Sequence, residues 1–185
     1  MLILILGGTA SGKSDFAIAR ARACGAHVTF LATGVAADSE MRDRIEAHRL
    51  ERPAEWTVIE QPLRLADAVF SVDDGDAVLV DSISGWLGNK MEEAGGADVD
   101  WSPLRARSLA DECIADLAPL INRSGHTVCV SAEVGLAPVA LSPYGRGFAD
   151  ALGRLNQELA RVADEIHLVV AGISIPLHTF REVAR

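Results

Sequence analysis

The sequence predicts an α/β fold, a mostly parallel sheet flanked by helices, and two observations lead there. Short apolar runs rich in Val, Ile and Leu recur at 2–6, 27–32, 57–60, 77–81, 127–131 and 166–171. Runs of this length are those of strands buried on both faces. Helical stretches separate most of them, and a repeated β-α order is the pattern of a parallel sheet covered on both sides.

The first run leads directly into Gly7-Gly8-Thr9-Ala10-Ser11-Gly12-Lys13-Ser14. This matches the phosphate-binding loop G-x-x-x-x-G-K-[ST], and it lies where that loop works, after a strand and before a helix beginning near Gly12. Glycines there let backbone N–H groups turn inward onto phosphate oxygens, and the following helix adds a favourable dipole. All eight residues, Gly7, Gly8, Thr9, Ala10, Ser11, Gly12, Lys13 and Ser14, are therefore expected to cradle the phosphates of ATP or GTP. Lys13 should reach the β- and γ-phosphates and the Ser14 hydroxyl should ligate Mg²⁺. The fold class narrows to a P-loop NTPase-like domain.

Further along, 38–49 is expected to be helical, with Met41, Ile45 and His48 on one face and Ser39 or Asp38 as N-cap. A histidine among charges on such a helix is, from the residues alone, more readily a solvated position than a catalytic one. The run 77–80 closes on Asp81, the best candidate for a second ligand to Mg²⁺, a role preferred over that of an ordinary strand end or a cap for the segment after it. Glu133, at another strand end, is weighed evenly between a metal-side or base carboxylate and a structural role. A helix is expected over 102–121, capped by Ser102 with Pro103 in its first turn, after a Gly- and Asp-rich loop at 93–100. The clearest helix is 147–164, where Phe148, Leu152, Leu155, Leu159 and Val162 form one stripe.

Bulk properties bound the remainder. At 185 residues the chain fits one domain, 1–185, and 49% hydrophobic residues supply a core. A formal charge of −9 argues against wrapping nucleic acid, which needs clustered Lys and Arg. Small anionic ligands stay compatible with it, given local positive groups. Cys24, Cys113 and Cys129 have neither metal-site nor disulfide spacing, so a reducing cytoplasm is expected. The apolar start ends at Gly7, short of a signal peptide or membrane span.

Several separated blocks resemble one family, the bifunctional adenosylcobinamide kinase/adenosylcobinamide-phosphate guanylyltransferases of cobalamin biosynthesis. They are Ile5-Leu6-Gly7-Gly8, Ser11-Gly12-Lys13-Ser14, Leu31-Ala32-Thr33, the stretch through His48, Arg52-Pro53 and Trp56. Asp81-Ser82-Ile83-Ser84-Gly85-Trp86-Leu87 with Asn89, Ser131-Ala132-Glu133-Val134-Gly135, and Arg146 to Ala163 come after them in the same order. The resemblance implies phosphorylation of adenosylcobinamide by ATP or GTP, then transfer of GMP from GTP to the corrinoid phosphate through a guanylylated His48, with Lys13 as the other catalytic residue. A neutral imidazole is a competent nucleophile near pH 7, and a covalent intermediate splits one hard displacement into two. Arg42, Arg44, Arg49 and Arg52 are near enough in sequence to meet phosphates, at least two of them more simply paired with nearby carboxylates. A homotrimer is implied too.

Four places depart from the family pattern: Ala10 where an arginine is usual, Ala47 where the first of two histidines stands, Ala132 where an asparagine precedes the glutamate, and Gly135-Leu136-Ala137-Pro138 after Val134, which differs from the common run. Arg146, between Gly145 and Gly147, is expected to reach a ligand and to replace the missing cation. The alternatives these departures leave are a P-loop small-molecule kinase without guanylyl transfer and a non-catalytic nucleotide-binding module.

Overall fold

The computed structural model describes residues 1–25, 27–36, 39, 42, 46, 49 and 52–184. Its strands are β1 (Leu2–Gly7), β2 (Val28–Ala32), β3 (Thr57–Glu60), β4 (Ala77–Asp81), β5 (Thr127–Ala132), β6 (Glu165–Val170) and β7 (Ile173–Pro176). They form one sheet in the order β3-β2-β4-β5-β1-β6-β7. Every neighbouring pair is parallel except β6 with β7. The six strands expected from the apolar runs are all present, with ends within one residue, and β7 is an addition to them.

Alternation along the strands sorts side chains into two cores. Ile3 and Ile5 of β1 join Phe30, Leu79, Val128 and Val130 on one face, covered by helix α1 (Lys13–Cys24) through Ala17 and Ala21. Leu2 and Leu4 join Leu31, Val78, Val80 and Cys129 on the other. That face is covered by α2 (Leu65–Phe70), α3 (Ile83–Glu93), α4 (Pro103–Asp116), α5 (Ala118–Asn122) and α6 (Pro143–Val162). Cys113 and Cys129 lie in this second core as free thiols, both pushed up to about 12 by burial, so they stay protonated.

Two helices differ from their expected bounds for identifiable reasons. The helix expected over 102–121 breaks at Leu117 into α4 and α5, because Pro119 has no N–H to continue the ladder and its ring crowds the preceding turn. The helix expected from 147 starts four residues earlier: Pro143 fits its first turn and the Ser142 hydroxyl accepts from Gly145 N. The glycine at 147 is a packing requirement. A Cβ there would stand 2.7 Å from Trp101 Cβ, and Trp101 is itself fixed by donating to the Gly96 carbonyl at 2.7 Å.

Leu155 is fully buried between α6 and the sheet. Leu155→Ala should cost about 2–5 kcal/mol in urea unfolding, the usual range for a core Leu truncation. Arg107→Ala, off the described core clusters, should shift stability by less than about 0.5 kcal/mol.

Candidate active site

In a parallel sheet the carboxyl ends of the strands face one edge, and ligands bind there. β1 is flanked by β5 and β6, so the residues after Gly7 emerge within that edge, between two parallel neighbours. The loop they form has a shape imposed by its neighbours. A Cβ on Gly7 would meet Ser11 Oγ at 2.5 Å and the Val169 carbonyl at 2.7 Å, and the latter belongs to a strand that cannot move aside. Gly12 has φ 87 and sits against Gly172, whose Cα would be 3.1 Å from any added Cβ. The left-handed region suits glycine, and Gly12 is also the residue from which α1 starts, its carbonyl accepting from Phe16 N at 3.1 Å.

The close neighbour Gly172 comes from a hairpin that the apolar runs did not signal. Val170 pairs with Ile173, and the two residues between, Ala171 and Gly172, have φ 51 and 76. Two positive φ values in a two-residue loop are those of a turn whose twist matches the strands. Its tip donates Gly172 N to the Ser11 carbonyl at 2.8 Å. On the other side, Glu133 N donates to the Gly7 carbonyl at 3.1 Å. The loop is thus held from β5 and from the hairpin, and the Ser11 hydroxyl is buried inside it without a hydrogen bond among the described residues.

Lys13 begins α1 and folds back, its Nζ donating to the Gly8 carbonyl at 3.2 Å. Ala10 is exposed, with φ 55. Relative to an arginine at that position, the alanine therefore removes a cation and no packing contact.

Asp81 closes β4, in register with Ala32 of β2 and Val130 of β5, and β4 is separated from β1 by β5 alone. The capping role weighed for it belongs to Ser82, whose hydroxyl accepts from Gly85 N at 3.0 Å. The segment around it is wired to its surroundings. Thr33 Oγ1 donates to the Ser82 carbonyl and accepts from Ser82 N, both at 2.8 Å. Asn89 Nδ2 donates to the carbonyls of Thr33 and Pro62 at 2.7 and 3.0 Å, and Trp86 Nε1 to that of Leu63 at 2.7 Å. These three side chains tie the exits of β2 and β3 to α3, a role the sequence did not disclose. Asn156 does the same for β5, linking to the Ser131 hydroxyl at 2.7 Å and donating to the Ala132 carbonyl at 3.0 Å.

Ser14 lies in the first turn of α1, beside the loop, and offers a hydroxyl oxygen; Asp81 offers a carboxylate. Hard oxygen donors with one carboxylate fit Mg²⁺, which prefers few protein ligands and completes its shell with phosphate and water. Among the described residues no cluster of three or more His, Cys, Asp and Glu could hold a metal by itself. Glu133 is turned onto its own loop, accepting from Gly135 N at 2.8 Å and Leu136 N at 3.1 Å. Arg146 is likewise engaged, its Nη1 donating to the carbonyls of Ala140 and Leu141 at 3.1 and 2.7 Å, rather than reaching out of its glycine context. His48, Ala47 and Arg44 lie outside the described residues. Ser39, Arg42, Glu46 and Arg49 around them are helical and exposed.

Gly12→Ala tests the loop. The left-handed conformation costs an alanine about 1–2 kcal/mol, and the contact with Gly172 adds to it. The loop should relax away from its phosphate-binding shape, weakening nucleotide binding about tenfold in calorimetry while the fold's circular dichroism is retained.

Comparison with known proteins places these features in context. The family model described as cobinamide kinase / cobinamide phosphate guanyltransferase matches residues 3–177. The bifunctional adenosylcobalamin biosynthesis protein CobP of Pseudomonas aeruginosa is 37% identical over 175 residues, covering 94% of this chain and 95% of the relative. The bifunctional adenosylcobalamin biosynthesis proteins CobU of Escherichia coli and Salmonella typhimurium are 33% and 34% identical, each over 96% of this chain and 99% of their own length. Among solved structures, an ATPase domain is similar at 12% identity with a TM-score of 0.40, over 90% of this chain and 68% of that one, a likeness too loose to bear on function. Among the described residues no helix is long and apolar enough to cross a membrane.

Proposed function

The chain belongs to the cobinamide kinase / cobinamide phosphate guanyltransferase family, and from that membership we propose how its residues divide the two reactions. In the first, the hydroxyl oxygen of adenosylcobinamide attacks the γ-phosphorus of ATP or GTP. The bond from that phosphorus to the β-phosphate oxygen breaks, and a nucleoside diphosphate and the hydroxyl proton leave. Lys13 and the amides of the Gly7–Ser14 loop hold the phosphates and offset the charge spreading over them. Mg²⁺, held by Ser14 and Asp81, supplies further charge neutralisation when bound.

In the second, a neutral nitrogen of His48 attacks the α-phosphorus of GTP and pyrophosphate departs. The GMP carried on the imidazole is then taken by a phosphate oxygen of adenosylcobinamide phosphate, breaking the P–N bond and restoring the histidine. The observation that carries this reading is the phosphate loop at the end of the interior strand β1, in a chain that matches the family along nearly its whole length. Glu133 and Arg146 belong to the nucleotide side of the same edge, and ligand binding would have to release each from its present backbone partners. Exposed Leu136, Val139 and Leu141 are apolar surface of the kind a subunit interface covers, which is compatible with an oligomer; the homotrimer itself rests on family membership, and the reading sets it in the cytoplasm as one 1–185 unit.

The test uses α-labelled GTP. Wild-type protein should acquire an acid-labile label, and His48→Ala should lose it by at least about 10³-fold while still transferring the γ-phosphate to adenosylcobinamide, a loss of the size expected when a nucleophile is removed. Labelling that persists in His48→Ala would assign the nucleophile elsewhere. Absence of label in the wild type, with γ-transfer intact, would leave a kinase alone.

A further inference from the structure

Four arginines lie near His48 in sequence, and the structure separates one of the described ones from the rest. Arg42 and Arg49 are exposed, and among the described residues Arg49 makes a 4.0 Å contact with Glu46. Arg52 is half-buried, with its guanidinium carbon 4.1 Å above the ring centre of Phe30. Phe30 is a buried residue of β2 on the α1 face of the sheet.

Register places the groups around it. Ala32, two residues beyond Phe30 and so on the same face, pairs with Glu60 of β3 on one side and Asp81 of β4 on the other. Both carboxylates act on the Arg52 charge and favour it, while burial, the largest influence, pulls its pKa below the ordinary arginine value and Arg49 adds a smaller effect in the same downward direction. The carboxyl edge on the α1 face therefore carries, in spatial order, the phosphate loop on β1, then Asp81 on β4, then Arg52 above β2. Neighbouring strands are about 4.8 Å apart, so Asp81 stands roughly 10 Å from the loop and Arg52 beyond it. This is the reach of a polyphosphate or of two phosphate groups brought together.

Arg52 also has an unmet requirement. Its Nε is buried and makes no hydrogen bond among the described residues. A buried donor left unpaired is destabilising, and the planar fork of a guanidinium suits the oxygens of a phosphate. A cavity of about 510 Å³, with Arg52, Trp56, Val58 and Glu60 among its walls, gives access from the β3 side.

We propose that Arg52 is a phosphate-binding residue of this active site, aimed by its stack on Phe30 and placed across Asp81 from the phosphate loop. The inference deepens the proposed function and rests on it. The phosphate it takes is that of the nucleotide or that of the phosphorylated acceptor, and binding measurements tell the two apart.

Calorimetry of wild type, Arg52→Lys and Arg52→Gln should be run with two probes, inorganic pyrophosphate and adenosylcobinamide phosphate. Arg52→Gln is expected to bind one of them at least about tenfold more weakly, with Arg52→Lys between it and wild type. Loosened pyrophosphate assigns the nucleotide's phosphates; loosened adenosylcobinamide phosphate assigns the acceptor's. Both affinities unchanged in folded Arg52→Gln would overturn the proposal. If Arg52→Gln does not fold, Phe30→Leu removes the ring while keeping the guanidinium, and it should loosen the same probe several-fold; unchanged binding there would overturn it equally. Because these readouts need no turnover, a wild type that binds through Arg52 yet takes no covalent GMP would refute the two-step function and leave Arg52 in place.

Discussion

The loop from Gly7 to Ser14 keeps its shape because structure on both sides presses on it. β1 is buried on both faces and hydrogen-bonded on both edges, so Gly7 arrives at a fixed point between β5 and β6. From there Glu133 N and Gly172 N clamp the loop through its own carbonyls, at Gly7 and Ser11. Those bonds use acceptors and leave the loop's donors to turn elsewhere, as an anion site made of backbone amides needs. The positive φ at Gly12 and the missing Cβ at Gly7 are consequences of this confinement. Pre-organisation of that kind spares the cost of ordering the loop when phosphate binds.

The same logic extends sideways along the carboxyl edge. Asp81 owes its place to register with Ala32 and Val130. The chain just after Asp81 is held by Thr33 and Ser82, and the exits of β2 and β3 are fastened to α3 through Asn89 and Trp86. The segment containing His48 departs from the end of β2, so the bonds at Thr33 fix the root from which it leaves. Within the family block from Asp81 to Asn89, Asp81 is the proposed metal ligand, while Trp86 and Asn89 set where neighbouring chain segments leave the sheet.

Much of this was legible in sequence because the signals were local. Six strands announce themselves by apolar runs, though β3, at the sheet edge, is mostly exposed rather than buried on both faces as its run suggested. The phosphate loop announces itself by glycine, lysine and serine at set offsets between a strand and a helix. The features that were not legible depend on partners distant in sequence. The strand Ile173–Pro176 has four residues, one of them proline, and its turn is Ala171-Gly172 rather than the Asn-Gly or Asp-Gly that signals a hairpin. That position 147 must be glycine is not legible until Trp101 is seen against it. Arg146 reads as free until the carbonyls at 140 and 141 turn toward it. Likewise nothing in the order of residues tells Arg52 from Arg42 or Arg49, since the difference lies in a ring on another strand.

One phosphate loop, completed by Lys13, serves both transfers in this account. Lys13→Ala, assayed in parallel with γ-labelled and α-labelled GTP, tests that claim most directly. Loss of both γ-phosphate transfer to adenosylcobinamide and covalent GMP formation, each by at least about 10²-fold with the unfolding midpoint unchanged, is the predicted result. If either label were transferred at the wild-type rate, a second phosphate site would have to exist and the account would be contradicted.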